Sequence, residues 1–362
     1  MAITREQVLE QLKTVHDPEL HKDLVTLDMI KNIAICEDTV RITVELTTPA
    51  CPLKQQIEKD VSAAVSQIEG VNTVHVDFTA NVQASPQQRA KSDNPLPDVK
   101  HIIAVGAGKG GVGKSTIAVN LAVGLAREGA TVGMLDADIY GPSLPTMLGL
   151  EGLQPRTTPE NMILPFQVNG IRAMTIGKLV EPDKPLIWRG PMAHGAFRQL
   201  ATQTDWGPLD YLIIDLPPGT GDVPLTMSQL LPLTGAVIVC TPQRVAQDDA
   251  RRAVAMFRQL QIEVLGIVEN MSYFIGDDGK EYDIFGKGGA EMMAQQMGTP
   301  FLGAVPINMA IRQHSDSGDP TANFTADDKL KAELQTLVRN VAGQISVAAR
   351  AHETMQPTIS IS

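Results

Sequence analysis

The sequence predicts an α/β protein whose main domain is built on a mostly parallel sheet and preceded by a small α+β domain. Three observations predict it. From Ile102 onward, short apolar runs alternate with helix-periodic segments, as parallel strands joined by helical crossovers do. The first of these runs passes directly into the glycine-rich stretch Gly108-Lys109-Gly110-Gly111-Val112-Gly113-Lys114-Ser115. Residues 1–78 carry a separate pattern of helix and strand, set off by an aperiodic, proline-containing stretch.

Within the first domain, Val8, Leu9, Leu12 and Val15 recur at helical spacing, and Val40, Ile42, Val44 and Leu46 alternate as in a half-buried strand. Residues 53–68 read as a helix, and Val71, Val74 and Val76 suggest a closing strand. Residues 79–100 contain Ser85-Pro86-Gln87-Gln88 and Asn94-Pro95-Leu96-Pro97 and read as a linker. The main domain is expected over 101–345, leaving 346–362 as a C-terminal tail. Its strands are expected at 102–105, 131–135, 211–214, 236–240, 264–268 and 301–305. Ala250, Ala253, Val254, Phe257 and Leu260 mark one apolar helix face between the fourth and fifth. Sheets of this kind bind ligands beyond the carboxyl ends of their strands.

At 362 residues, two domains are the natural expectation, and 43% hydrophobic content supports a sizeable core. The net charge of −11 argues against nucleic-acid or anionic-membrane partners. No run of about eighteen apolar residues predicts a transmembrane helix, and the amino terminus lacks a signal-peptide pattern, so a cytoplasmic location is expected. Three scattered cysteines, Cys36, Cys51 and Cys240, make no disulfide framework.

The glycine-rich stretch has P-loop spacing and sits between an apolar strand and a helix-periodic segment, Val119 to Ala126. Glycine permits positive φ and lets backbone N–H groups approach an anion, and the following helix adds its N-terminal partial charge. The expected nucleotide-binding residues are Gly108, Lys109, Gly110, Gly111, Val112, Gly113, Lys114, Ser115 and Thr116. Lys114 would meet the β- and γ-phosphates, and the Ser115 hydroxyl would bind Mg²⁺.

Two further strands end in carboxylates. Leu135-Asp136-Ala137-Asp138 follows the second strand, and Tyr211-Leu212-Ile213-Ile214-Asp215 closes the third. Asp138 is the candidate for orienting the attacking water, Asp136 for supporting Mg²⁺-bound water, and Asp215 for facing Mg²⁺. Helix capping is the competing account of Asp136 and Asp138. Pro217-Pro218-Gly219-Thr220-Gly221-Asp222 could sense the γ-phosphate as a switch segment or form an ordinary turn.

These residues resemble the deviant P-loop ATPases that include MinD, ParA and the nitrogenase iron protein, which carry a second lysine early in the loop. The resemblance implies a P-loop NTPase domain, an ATP-bound sandwich dimer, and a role for Lys109 across the dimer, so that Lys109, Lys114 and Asp138 form the catalytic set. Further motifs resemble the Mrp/ApbC iron–sulfur carrier ATPases. They are Asp138-Ile139-Tyr140-Gly141-Pro142-Ser143, Trp188-Arg189-Gly190-Pro191-Met192, Glu269-Asn270-Met271-Ser272-Tyr273, Asp283-Ile284-Phe285-Gly286, Val305-Pro306-Ile307 and Ser315-Asp316-Ser317-Gly318. In that family an asparagine reads adenine, and the match assigns this to Asn270. The first domain, through Asp17-Pro18-Glu19-Leu20 and Thr47 to Leu53, resembles an iron–sulfur assembly accessory module, with Asp28 standing where that module usually has glycine.

The resemblance implies ATP, Mg²⁺, a homodimer, apo iron–sulfur client proteins and assembly factors as partners, and a [4Fe–4S] cluster bridging the dimer. Such carriers hold the cluster with a Cys-x-x-Cys pair in the loop after the Asn-Met-Ser segment. Here that loop runs from Phe274 to Tyr282 without cysteine. Cys51, before Pro52 and an expected helix start, is the remaining thiolate candidate, with packing at the turn as its alternative. Cys240 ends an apolar strand and is expected to be buried, and His16 and His21 are expected to be solvated. The leading expectation is an ATP-hydrolysing iron–sulfur carrier. A nucleotide-gated client scaffold without a cluster and a MinD/ParA-type positioning ATPase are the alternatives, the latter disfavoured by the net charge and a tail without basic amphipathic character.

Overall fold

A computed structural model describes residues 3–18, 22–85, 87–88, 94–138, 141–179, 190–219, 221–276 and 278–351. Ile139, Tyr140, Trp188, Arg189, Thr220, His21 and the segment 352–362 lie outside the described residues. The chain divides into two compact units, Met1–Gln83 and Ala84–Ser362.

In the first unit, helix α1 (Arg5–Leu12) starts at a Thr4 capping box, in which Thr4 and Gln7 satisfy each other's backbone N–H. Strands β1 (His16–Asp17) and β2 (Lys22–Asp23) pair antiparallel. A three-stranded sheet follows, β3 (Ile30–Cys36) antiparallel to β4 (Thr39–Leu46), and β4 parallel to β5 (Thr73–Ala80), with helix α2 (Lys54–Val65) as the crossover. Val40, Ile42, Val44 and Leu46 are buried as their alternation predicts, packing with Val8, Leu12, Ile57 and Val61. Strand β3 is absent from the sequence expectation because a register shift between Ile30 and Asn32 breaks its alternation. Asp28 has φ of 54°, a left-handed position, which accounts for glycine being the usual residue there.

The boundaries move from those expected. Strand β5 runs through Ala80, and residues from Ala84 onward belong to the second unit, where Ser85 N donates to Lys100 O at 3.1 Å. Ser85 is fully buried, so the end of the expected linker is packed chain. At the other end, residues 346–351 continue a helix rather than starting a tail.

The second unit contains strands β6 (Val99–Gly106), β7 (Val132–Asp136), β8 (Arg156–Thr157), β9 (Ile163–Leu164), β10 (Phe166–Val168), β11 (Ile171–Thr175), β12 (Leu209–Asp215), β13 (Gly235–Cys240), β14 (Val264–Ile275), β15 (Glu281–Tyr282) and β16 (Phe301–Ile307). Its helices are α3 (Lys114–Arg127), α4 (Leu144–Met147), α5 (Gly190–Thr202), α6 (Asp222–Leu230), α7 (Arg244–Gln259), α8 (Gly289–Gln296), α9 (Met309–Asp316) and α10 (Asp328–Ala351). The main sheet has nine described strands in the order β10-β11-β7-β12-β6-β13-β14-β15, with β16 also on β14. Every pairing is parallel except β10 with β11 and β14 with β15, as the alternating pattern predicts. Ala250, Ala253, Val254 and Phe257 of α7 are buried in the core.

Two parts of this sheet depart from expectation. Strands β10 and β11 form an unanticipated hairpin, turning at Asn169-Gly170, both at positive φ. Strand β14 does not stop at Val268 but runs to Ile275, bent by Met271 at φ 55°. Asn270 therefore sits within the strand, not after it. No described helix is long and apolar enough to cross a membrane.

Candidate functional site

Strand β6 occupies the middle of the sheet, with β12 and β13 on its two sides and β7 beyond β12. Register places Asp215 opposite both Val105 and Asp136, so the carboxyl ends of β6, β12 and β7 meet at one crevice. This is the point at which ligands bind in open parallel sheets. The P-loop leaves β6 there and feeds α3.

The loop's glycines are required by space as well as conformation. Gly111 and Gly113 have φ of 80° and 79°. A Cβ on Gly108 would lie 2.2 Å from the backbone of Asp249, and one on Gly113 would lie 2.1 Å from the Asn270 amide. Gly219 N donates to Ala107 O at 2.9 Å, pinning the Pro217-Pro218-Gly219 segment to the base of the loop. Thr220 in the same motif is outside the described residues.

Four charged groups converge behind the loop. Lys114, 6% exposed, donates to Asp215 Oδ1 at 2.5 Å and to Ser115 Oγ at 3.2 Å, and stands 4.0 Å from Asp138 Oδ2. Asp215 Oδ2 is buried without a hydrogen-bond partner among the described residues. Asp136 Oδ1 accepts from Asp138 N at 3.1 Å, and its Oδ2 accepts from Thr175 Oγ1 at 3.0 Å. Three carboxyls thus surround one ammonium. Burial, then the neighbouring Asp215, pushes the Asp136 carboxyl up to about 7, and burial raises Asp215 while Lys114 pulls against it. A charge set this short of cation is suited to a divalent ion. Mg²⁺ binding of this type uses one or two carboxylates, a hydroxyl, waters and phosphate oxygens, and Ser115 and Asp215 fit those roles with Asp136 behind them. Lys109 is half-buried and forms no ion pair with any described residue.

A cavity of about 600 Å³ adjoins the loop, lined by Thr116, Met147, Asn270, Met271, Ile284, Phe285, Pro306, Ile307, Asn308, Ile311, Arg312, Ser315 and Asp316. Its apolar walls and few polar groups suit a flat heterocycle. Asn270, 5% exposed, donates to Val112 O at 2.8 Å, which leaves its carbonyl oxygen and a second N–H for other partners. The structure brings Asn270 and Thr116, both expected at the nucleotide from sequence, into the lining of one cavity, with Asn270 against Gly113 of the P-loop. Sequence reasoning missed Thr175 and the α9 wall. The Asn169-Gly170 turn was the readable signal for the hairpin that carries Thr175.

The segment from Phe274 to Tyr282 is a hairpin rather than an open loop, with Phe274 opposite Tyr282. Asp278 accepts from Lys280 N at 3.1 Å and Tyr282 Oη at 2.9 Å, and Lys287 pairs with Glu281. The cysteines stay dispersed. Cys36 is exposed, Cys51 is half-buried beside the first unit's core, and Cys240 is buried with its thiol pushed up to about 12. Cys51 precedes α2 by a turn, since the helix begins at Lys54. Among the described residues, no three His, Cys, Asp or Glu side chains are grouped to hold a metal ion by themselves. His16 is exposed, and its Nδ1 contacts Thr14 O at 3.1 Å.

A central parallel strand, a glycine loop, a buried lysine and carboxylates at the ends of the next two strands on one side, β12 and β7, define a P-loop nucleotide-binding protein. Residues 98–342 match the family described as NUBPL iron-transfer P-loop NTPase, and residues 5–77 match that described as iron-sulfur cluster assembly protein. The chain belongs to the iron-transfer P-loop NTPases, and nucleotide hydrolysis is the chemistry of that class. An iron-sulfur cluster carrier protein from Synechocystis sp. is 49% identical over 353 residues, covering 96% of this chain and 99% of the relative. A solved nucleotide-binding protein from Archaeoglobus fulgidus in complex with ADP is 41% identical, covers 62% of this chain and 88% of its own, and has a TM-score of 0.55. The cell division ATPase MinD of Pyrococcus furiosus, at 21% identity and TM-score 0.50, covers 67% of this chain and 98% of its own and shares the fold.

Proposed function

We propose that this chain binds ATP with Mg²⁺, hydrolyses it as a homodimer, and carries iron–sulfur clusters to apo-proteins in the cytoplasm. The observation that carries the ATPase half is the buried Lys114–Asp215 pair beside the P-loop, with Asp215 Oδ2 unpartnered among the described residues. The carrier half is supported by the match of both units to iron–sulfur families and by the function named for the full-length relative.

Asp215 accepts from Lys114 at a place where the phosphate oxygens of ATP would also be held. Incoming β- and γ-phosphates compete for the ammonium and release the carboxylate toward Ser115. Mg²⁺ there would neutralise charge on the β- and γ-phosphates. Asp138 orients a water for attack on the γ-phosphorus, the bond to the β-phosphate oxygen breaks, and ADP and phosphate leave. Lys109 reaches the phosphates of the facing protomer, so that the dimer closes only around ATP. Asn270 reads adenine from the β14 side of the cavity.

The cluster is cargo. A [4Fe–4S] cluster takes four thiolates, and the hairpin at 274–282 supplies none. Cys51 of each protomer would supply one apiece, and the other two would come from a donor or recipient molecule. Anaerobic reconstitution with iron and sulfide, followed by transfer to an apo-ferredoxin, tests this in the parent chain and in Cys51→Ser. Bound iron and transfer in the parent, lost in the variant, support the assignment. Transfer retained in the variant removes Cys51 from the ligand set. A parent that binds no cluster overturns the carrier function and leaves a nucleotide-gated scaffold.

A further inference from the structure

Two elements that contribute to the lining of the 600 Å³ cavity, α3 at Thr116 and α9, are joined by a line of polar side chains that neither the P-loop nor the strand-end carboxylates account for. Asn120, in the second turn of α3, donates through Nδ2 to Thr116 O at 2.8 Å. Asn323, in the 3₁₀ turn Pro320–Phe324, donates through Nδ2 to Asn120 Oδ1 at 2.9 Å. Asn323 Oδ1 lies 2.8 Å from Nδ1 of His314, on α9. Asn120 is 1% exposed and Asn323 is fully buried. Thr116 of α3 and Ile311, Arg312 and Ser315 of α9 all line the cavity.

The direction of this line follows from its first acceptor. A backbone carbonyl can only accept, so Thr116 O requires the Asn120 amide N–H₂ to face it. The Asn120 carbonyl oxygen must then face Asn323 and accept from it. That leaves only the Asn323 carbonyl oxygen for His314, which must hold its proton on Nδ1 to donate. Each member therefore depends on the one before it, and no amide can be flipped without placing two acceptors or two donors against each other. Burying two asparagines costs more than burying apolar side chains of like size unless every group is paired. Their paired geometry sets the spacing between α3 and α9.

We propose that Asn120, Asn323 and His314 are positioning residues that hold the α9 wall of the base cavity at a fixed distance from the P-loop helix, and so set affinity for the nucleotide's base. The proposal rests on the reading of this cavity as the base site. Because the relay touches the base wall and not the phosphate cradle, it separates two ligands. ATP needs both, whereas inorganic tripolyphosphate needs the cradle alone.

The test measures ATP and tripolyphosphate binding by calorimetry, and steady-state ATP turnover, in the full chain and three variants. His314→Phe removes the donor and keeps a ring. His314→Asn places an amide N–H₂ where Nδ1 stood. Asn323→Asp keeps an acceptor for His314 but offers Asn120 no donor, cutting the relay from the other side if the first variant fails to fold. His314→Phe and Asn323→Asp are expected to weaken ATP binding and raise KM by roughly five- to tenfold, the scale of one lost hydrogen bond, with kcat and tripolyphosphate affinity unchanged. His314→Asn is expected to restore ATP affinity. Equal losses for both ligands, or no loss for ATP, or failure of the asparagine to rescue, would overturn the relay while leaving nucleotide binding in place. A parent chain that binds neither ligand removes the base-site reading itself, and the relay with it.

Discussion

At the P-loop end of the sheet, three carboxyls and one ammonium are packed out of water, and one carboxylate oxygen has no described hydrogen-bond partner. In the β14–β15 hairpin, by contrast, Asp278, Lys280, Glu281 and Lys287 lie at or near the surface and close on one another. The first region carries more negative than positive charge out of water, with burial raising Asp136 and Asp215. In the second, the described charges are paired locally. A polypeptide leaves buried charge short of partners where a ligand supplies them, and satisfies charge locally where none is needed. That contrast supports placing the proposed chemistry in the P-loop crevice.

The strongest way to break the comparison is Lys114→Ala. It removes the only cation from the buried set, and nucleotide turnover is expected to fall by at least about 10²-fold, as for loss of one charge-stabilising donor. Phosphate-release assays in the presence of Mg²⁺ and ATP check this, and retained turnover would place the chemistry elsewhere.

An intermediate effect is expected from pH. The Asp136 carboxyl is held above its ordinary 3.8, at about 7, so the folded chain binds a proton that the unfolded chain releases. That contribution is fully present below 3.8 and is lost as pH rises through about 7. The melting temperature of the nucleotide-free protein should therefore decline across that window, and Asp136→Asn should flatten the decline. A parent whose melting temperature rises with pH there, with the same slope in the variant, contradicts the burial account.

The smallest effect belongs to the hairpin. Asp278→Ala removes two exposed acceptor bonds and is expected to leave the melting temperature almost unmoved, with turnover unchanged. Thermal unfolding and the same phosphate assay check it. A large loss of turnover would show that the hairpin is part of the machinery.

Much of the nucleotide site was legible because its parts are contiguous. The P-loop, the strand before it and the helix after it occupy Val99 to Arg127, and the carboxylates at Asp136, Asp138 and Asp215 each end a readable apolar run. What escaped was assembled from distant segments or from broken patterns. Strand β3 was hidden by its register shift, and β14 by the positive φ at Met271. Thr175 reaches Asp136 only because β11 pairs with β7, thirty-odd residues away in sequence. The α9 wall of the cavity approaches Asn270 only through the pairing of β16 with β14.

By itself, the sequence determined the two-unit organisation, the parallel sheet, the phosphate loop and the carboxylates at strand ends, since periodicity, glycine spacing and chain order are local properties. The tertiary structure alone decided that those carboxylates share one buried lysine, that Asn270 is anchored on Val112 O, that the cysteines stay apart, and that His314 is tied through two asparagines to Thr116. The physical reason is that burial and hydrogen-bond direction arise from strand order and helix packing, which bring together residues as far apart in sequence as Asn120 and Asn323, 203 positions.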